Sequence, residues 1–206
     1  MTVFILCILW IIWCTIHSFL ITTSVLEFIK IHASGLTRYY RLFYNAFSLI
    51  TLIPLVVATR LAEGQVIISW EGYLVPFRIL FLAAAFMLFK GGAKEYDLSY
   101  FLGIKQLKTG EQHLLLNDTE EFSETGVFGI TRHPWYFGSL LFLWSILPAY
   151  PLPVFLAVCI LSIYLVVGAM LEERKIISQY GVSYQRYQQH VSMLFPWKWL
   201  MKFFRK

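Results

Sequence analysis

The chain has 206 residues, of which 58% are hydrophobic and only 14% are charged, and its formal net charge is +5. Soluble domains are about 45–50% apolar and about 25% charged, so this composition excludes an ordinary soluble domain and favours an integral membrane protein. The length suits one domain covering residues 1–206, with no separate soluble domain.

Five apolar stretches are long enough, or nearly so, to cross a membrane as helices, which takes about 20 residues. They cover Thr2–Thr22, Leu42–Thr59, Tyr73–Phe89, Trp135–Pro148 and Pro153–Met170. The PAYPLP segment between the last two predicts a tight hairpin turn, because prolines break helices. The predicted fold is therefore all-α, an integral membrane protein with about five transmembrane helices.

Basic residues are distributed very unevenly between the connections. Fifteen lie in the first connection, the third connection and the segment after Met170, whereas the second connection holds only Arg60. Because cytoplasmic loops are enriched in lysine and arginine, we expect these three regions to face the cytoplasm and the N-terminus to lie outside. The positive charge then reflects topology and contact with lipid headgroups, and no pattern indicates nucleic-acid binding. The FPWKWLMKFFRK segment predicts an amphipathic helix at the interface.

A polar cluster stands directly before the fourth predicted span. Arg132 and His133 precede Pro134, and proline suits the first turn of a helix because its missing N–H is not needed there. Free N–H groups at a helix N-terminus favour an anionic group, and arginine binds a carboxylate with two hydrogen bonds. Tyr136 and Gly138 extend the cluster, which predicts a binding site for an anionic group.

Two glutamates, Glu172 and Glu173, follow the fifth predicted span without a break. Because the last two spans form a hairpin, we expect these carboxylates to lie close to Arg132. Two interpretations remain open: a structural arginine–glutamate pair that closes the hairpin, or a ligand pocket that combines a cation, carboxylates and aromatic rings.

Tyrosines recur at helical spacing further along this segment. Tyr184 and Tyr187 share one helix face with Val191, and Tyr180 joins them across Gly181. Such a stripe is typical either of a packed core or interfacial belt, or of the wall of a cofactor pocket.

A third set of polar residues lies within or beside the first two spans. His17 and Ser18 end the first span, and Tyr44 and Asn45 open the second. Polar side chains in membrane spans usually face the protein interior or a cavity, so these four are candidates for substrate binding. Asp97, in the third connection, either caps a helix or takes part in catalysis. The chain has no cysteine–histidine spacing of a metal site.

The sequence resembles a known superfamily on several of these elements. The segments RHPWYFG and EERKIISQYGVSYQRYQQHVSMLFP resemble the isoprenylcysteine carboxyl methyltransferase-like superfamily. The segments IHSFL, YRLFYN and EYDLSYFLGIKQL are similar to its methanethiol S-methyltransferase, or NnrU-like, branch, although Lys105 stands where arginine is usual.

The resemblance implies a multi-pass enzyme of a bacterial or archaeal cell membrane with its active site facing the cytoplasm. It implies three N-terminal spans in residues 1–90, a cytoplasmic loop in 91–131, and a cofactor-binding hairpin and C-terminal helix in 132–206. The implied cofactor is S-adenosyl-L-methionine, and the implied reaction is methylation of a small or lipophilic thiol such as methanethiol. The implied cofactor residues are Arg132, His133, Pro134, Tyr136, Gly138, Glu172, Glu173, Tyr184 and Tyr187. A base is expected to remove the thiol proton, and His17, His133 and Asp97 are the candidates.

Other functions stay open at this point. Within the superfamily the acceptor could be a prenylcysteine carboxylate or a phospholipid amine. Membrane sterol reductases share a similar Arg-His-x-x-Tyr-x-Gly stretch but bind NADPH, whose 2′-phosphate calls for extra arginines near the site. A small channel would need polar residues at every depth of the spans, whereas here they gather at one end. The sequence leaves the oligomeric state open.

Overall fold

Helices account for most of the computed structural model, which describes residues 1–109 and 124–204. The helices are α1 (Thr2–Leu20), α2 (Thr23–His32), α3 (Thr37–Leu61), α4 (Val75–Glu95), α5 (Leu98–Leu102), α6 (Ile104–Thr109), α7 (Pro134–Ser145), α8 (Leu152–Tyr180), α9 (Val182–His190) and α10 (Trp197–Phe204). Two short strands, β1 (Val66–Ser69) and β2 (Ala149–Pro151), pair with each other. The all-α class predicted from the sequence is confirmed.

Within the described residues, four helical segments are long and apolar enough to cross a membrane. They are Thr2–Leu20, Ser34–Leu61, Gly72–Glu95 and Leu152–Tyr180. Each corresponds to a predicted span. The last three extend beyond the predicted span at both ends, whereas the first ends two residues before the predicted end at Thr22.

The predicted span Trp135–Pro148 is a shorter helix than expected. Helix α7 has 12 residues and is therefore about 18 Å long, well below the roughly 30 Å of a bilayer core. Its N-terminus is fixed by Pro134 at the first helical turn, as predicted. After α7 the chain enters β2, so the PAYPLP segment is a paired strand rather than a simple turn.

The described residues divide into two compact units. The first contains residues 1–68, 96–109 and 150–161, and the second contains residues 69–95, 124–149 and 162–204. In the first unit Leu6, Trp10, Leu55 and Ala157 form the core. The indole N–H of Trp10 donates to the hydroxyl of Thr59 at 3.0 Å, which satisfies a polar group that would otherwise be unpaired in lipid.

The second unit is built around close packing between α4 and α7. A Cβ atom added at Gly92 would lie 2.5 Å from Nε1 of Trp135, and one added at Gly138 would lie 3.1 Å from the ring of Phe89. The indole N–H of Trp135 donates to the carbonyl of Phe89 at 3.2 Å. Small residues at these positions let the two helices approach, as is common between helices in membranes.

This packing predicts that Gly92→Ala destabilises the protein. The added methyl group meets a rigid indole ring, so we expect a loss of about 1–3 kcal/mol, the usual cost of overpacking. Thermal unfolding in detergent measures it. The matched control is Gly35→Ala, because a Cβ atom at Gly35 meets nothing within 4 Å. Equal melting temperatures for the two variants would contradict the proposed role of Gly92.

Candidate functional site

The segment before α7 is held against the segment after α9 by backbone pairing. Thr131 and Ser192 form a parallel bridge, and the N–H of Arg132 donates to the carbonyl of Ser192 at 2.9 Å. The carbonyl of Met193 accepts from the N–H of His133 at 3.2 Å and from the hydroxyl of Thr131 at 2.9 Å. The chain before α7 and the chain after α9 are therefore fixed next to each other.

The carboxylate of Glu173, on α8, is the centre of a polar cluster in the second unit. Its Oε1 lies 2.6 Å from Nε of Arg132 and 3.2 Å from Nε2 of His133, and it accepts from the hydroxyl of Tyr184 at 3.2 Å. Its Oε2 accepts from the side-chain amide of Gln188 at 2.8 Å. Glu173 is only 9% exposed. The predicted closeness of Arg132 to the glutamates is thus confirmed for Glu173.

Positive charges also meet the C-terminal end of α9. Nη1 of Arg132 donates to the carbonyl of Val191 and, at 3.4 Å, to that of Gln188. Nζ of Lys198 donates to the carbonyl of Gln188 at 2.6 Å. The last carbonyls of a helix lack partners within the helix and carry partial negative charge, so cations are favourable there. Arg132 therefore joins α8 to α9.

The predicted tyrosine face is confirmed, and it faces the protein interior. Tyr184 and Tyr187 are each 2% exposed and form a core cluster with Val191. The hydroxyl of Tyr187 donates to the carbonyl of Phe128 at 2.6 Å. Burial raises the pKa of both phenols, and the negative charge of Glu173 raises the pKa of Tyr184 further. Both rings are therefore neutral donors that hold other groups in position, with little surface left for a ligand.

His133 leaves one buried polar atom without a partner. Its side chain is 1% exposed, and its Nδ1 makes no hydrogen bond to any of residues 1–109 or 124–204. The ring stands edge-on to Tyr136 with centroids 5.5 Å apart. Buried polar atoms in native proteins nearly always have a partner, so this nitrogen is a position where a ligand or water atom belongs.

The other predicted cofactor residues have different surroundings. Pro134 is buried in the first turn of α7, and Gly138 packs against Phe89. Glu172 is half-buried, and its carboxylate makes no hydrogen bond or ion pair within the described parts of the chain. Tyr136 packs against Gly168, where an added Cβ atom would lie 3.1 Å from its ring.

The first unit holds the predicted substrate residues. Nδ1 of His17 lies 3.0 Å from the hydroxyl of Ser48, and Nε2 lies 2.7 Å from the hydroxyl of Tyr44. The ring of His17 stacks on Trp13 with centroids 4.8 Å apart. Ser18 is half-buried beside them in sequence. The sequence prediction missed Ser48, although it follows Tyr44 by four residues and so shares its helix face.

The remaining predicted residues of this unit lie near α5. The side-chain amide of Asn45 donates to the carbonyl of Phe101 at 3.0 Å. Asp97 is the N-cap of α5, accepts from the N–H of Tyr100 at 3.0 Å, and forms an ion pair with Lys105 at 3.0 Å. The hydrogen bond from Tyr100 and the charge of Lys105 lower the pKa of Asp97. These contacts are those of a helix cap, which is one of the two roles that the sequence allowed for Asp97.

The fold and this site define a polytopic α-helical membrane protein with a charged cluster where α7, α8 and α9 meet. Residues 79–183 match the family model described as phospholipid methyltransferase, and the chain belongs to this family. The resemblance identified from the motifs is therefore confirmed.

Curated relatives carry names from the expected branch. Methanethiol S-methyltransferase 1 of Bradyrhizobium diazoefficiens is 30% identical over 159 residues, which is 76% of this chain and 50% of that protein. Methanethiol S-methyltransferase of Pseudomonas sp. strain GM41(2012) is 28% identical over 127 residues, 62% of this chain and 43% of that protein. The chain spans about half the length of the curated relatives it matches. No solved structure matches it.

The site predicts different stabilities for two neighbouring glutamate variants. Glu173→Gln removes the charge that pairs with the buried Arg132, so we expect a loss of about 3 kcal/mol, at the lower end for a broken buried ion pair. Glu172→Gln is the matched control and should melt close to the wild type, because Glu172 has no partner in the described chain. Thermal unfolding in the same detergent compares them. A Glu173→Gln variant as stable as Glu172→Gln would show that the ion pair contributes nothing to stability.

Proposed function

We propose that this protein is an S-adenosylmethionine-dependent membrane methyltransferase that methylates a thiol, and that the cluster around Glu173 is its cofactor site. The observation that carries the proposal is the convergence on Glu173 of Arg132, His133 and Gln188, which come from separate segments of the chain. Membership of a methyltransferase family and the names of the relatives support the proposed activity.

The side chains present suit this cofactor. Arg132 would hold its carboxylate, because its guanidinium offers N–H donors beside a helix N-terminus, and His133 would contact the cofactor through Nδ1. Glu172 would hold its ammonium group or ribose hydroxyls, and Tyr136 offers an aromatic surface. Glu173 would act indirectly, by keeping Arg132 and His133 in place. Within this cluster, Nδ1 of His133 and the carboxylate of Glu172 have no partner among the described residues and are open to a ligand. When bound, the cofactor supplies an electrophilic methyl group that passes to the acceptor sulfur as the sulfonium C–S bond breaks.

The chain itself contributes alignment and exclusion of water. Tyr184 and Gln188 fix the carboxylate of Glu173, which in turn fixes Arg132 and His133. Because His133 and Glu173 are buried, their charges and dipoles act in a low-dielectric environment, where electrostatic interactions are stronger than in water. Holding reactants in line contributes about 7–11 kcal/mol to catalysis in favourable cases.

A thiol also needs to lose its proton, because its usual pKa is about 8.5. Among the three candidate bases, Asp97 is the weakest, since its ion pair and helix cap lower the pKa of its carboxyl group. His133 already contacts Glu173 through Nε2. We therefore favour His17, whose ring lines a cavity.

We also infer that the site faces the cytoplasm and that the N-terminus lies outside. The uneven distribution of lysine and arginine supports this orientation. A cytoplasmic site has direct access to a soluble cofactor, while an apolar thiol reaches it through the bilayer.

A phospholipid amine is the second candidate acceptor. The description of the matching family model favours it, because phospholipid methyltransferase is the name that this family carries. The relatives named methanethiol S-methyltransferase favour a thiol, and an acceptor panel separates the two.

The test is cofactor binding by protein purified in nanodiscs. We expect S-adenosylmethionine to raise the melting temperature, since a ligand at 100 times its Kd stabilises by about 2.7 kcal/mol, and NADPH to have no effect. Glu172→Gln should keep the wild-type melting temperature without ligand but lose most of the shift. Gln179→Glu, which alters charge at an exposed position further along α8, is the control and should keep the shift.

The same preparation, given methyl-labelled cofactor, is then offered methanethiol, longer alkyl thiols and phosphatidylethanolamine. Label in the methylated thiol supports a thiol acceptor. Label found only in the phospholipid would show that the acceptor is a phospholipid amine. A melting temperature that rises with NADPH and not with S-adenosylmethionine would overturn the proposal.

A further inference from the structure

A cavity of about 360 Å³ lies between α1 and α3 in the first unit. Its walls are mainly apolar and include Leu9, Ile12 and Ile16 from α1 and Phe47, Leu55 and Ala58 from α3. Along α1 it extends from Leu9 to His17, about 12 Å at 1.5 Å per residue. We call this cavity the α1–α3 groove. Its volume falls in the range of about 300–1,000 Å³ that is typical of pockets for small organic ligands.

One end of the α1–α3 groove is polar. His17 and Ser48 line it there and lie 3.0 Å apart, and the second ring nitrogen of His17 lies 2.7 Å from the hydroxyl of Tyr44. Polar side chains within membrane spans are costly and tend to line binding sites or cavities. The groove therefore combines an apolar body with a hydrogen-bonding end.

Thr51, the other hydroxyl in the groove, differs from this pair. Its hydroxyl accepts from the indole N–H of Trp13 at 3.0 Å and donates to the carbonyl of Phe47 at 2.8 Å. Both of these bonds tie parts of the helices together, so Thr51 has a structural role. His17 and Ser48 also bond to each other across α1 and α3, but they do so at the end of the groove, where both side chains line its wall.

A positive charge stands beside the polar end. The guanidinium carbon of Arg41 lies 5.8 Å from the ring centroid of Tyr44 and 5.7 Å from that of Phe101. Its Nε donates to the carbonyl of Phe101 at 3.3 Å. Within residues 1–109 and 124–204, no carboxylate forms an ion pair with Arg41. A cation that has no carboxylate partner among these residues favours a ligand whose head group carries negative charge, as a thiolate does.

We propose that the α1–α3 groove binds the methyl acceptor, and that the acceptor is a thiol carrying an extended apolar chain. The chain lies along the walls formed by α1 and α3, and the sulfur lies at His17 and Ser48, near Arg41. This inference rests on the proposed function, whose acceptor it specifies. The acceptor proposed here differs from methanethiol, the thiol in the names of the relatives. Methanethiol has a single carbon and would leave most of the groove empty.

The polar end also distinguishes this acceptor from an ordinary lipid chain. An acyl tail would match the apolar walls but would bring a methyl group to His17 and Ser48. That arrangement would place these polar side chains and the nearby charge of Arg41 against hydrocarbon, which is unfavourable. A chain that ends in a thiol matches both the walls and the end.

The first experiment measures binding without activity. Protein in nanodiscs is photolabelled with an alkyl thiol that carries a diazirine in its chain, and the labelled residues are mapped by mass spectrometry. We expect labelling within residues 9–17 and 47–58, suppressed by octanethiol and unaffected by octane. Labelling elsewhere, or equal suppression by octane, would overturn the inference.

The second experiment uses turnover of methanethiol and octanethiol by Ala58→Phe, which fills the end of the groove furthest from His17. We expect kcat/KM for octanethiol to fall about tenfold or more, the size of effect that one or two methylene groups have in an apolar pocket. Turnover of methanethiol should fall much less than turnover of octanethiol, and the melting-temperature shift with S-adenosylmethionine should stay at the wild-type value. Ala46→Phe, on the same helix and outside the groove lining, is the matched control.

The two experiments separate the inference from the proposed function. If octanethiol and methanethiol respond equally to Ala58→Phe, the groove is not the acceptor site. If the walls are labelled and the label is suppressed by octanethiol, but no thiol is methylated, the groove binds thiols and the proposed thiol methylation is wrong.

Discussion

The ion pair between Arg132 and Glu173 is the interaction on which the second unit depends. Arg132 precedes α7, Glu173 lies on α8, and the same guanidinium reaches the last carbonyls of α9. Breaking a buried pair of this kind is costly, because the remaining charge stays buried without a partner. The pair therefore fixes the start of α7, the Glu173 position of α8 and the end of α9 at one point. The sequence allowed either a structural arginine–glutamate pair or a ligand site. The observed ion pair is compatible with both, because Nδ1 of His133 beside it has no partner among the described residues.

The two polar clusters differ in what they leave unsatisfied. Around Glu173 the carboxylate is saturated by four partners, and the open positions are Nδ1 of His133 and the carboxylate of Glu172. Around His17 the two ring nitrogens contact Ser48 and Tyr44, and the open feature is an apolar groove beside them. The first pattern suits a polar, charged ligand, and the second suits an amphiphilic one.

Sequence patterns predicted the features that have strong local causes. Apolar runs predicted the long helices, Pro134 predicted the start of α7, and the spacing of Tyr184 and Tyr187 predicted that they share one helix face. They did not predict that Trp135–Pro148 is a short helix followed by a strand, because strand pairing between distant segments has no local signal. For the same reason the role of Gln188 emerged only from its tertiary contact with Glu173.

The most direct test of the account is amide hydrogen exchange of the protein in nanodiscs, with and without S-adenosylmethionine. The account predicts slower exchange on cofactor addition in the peptides around Arg132 and His133, around Glu172 and Glu173, and along α9. Unchanged exchange in these peptides, with protection confined to other parts of the chain, would show that the cluster around Glu173 is a structural pair and that the cofactor site lies elsewhere.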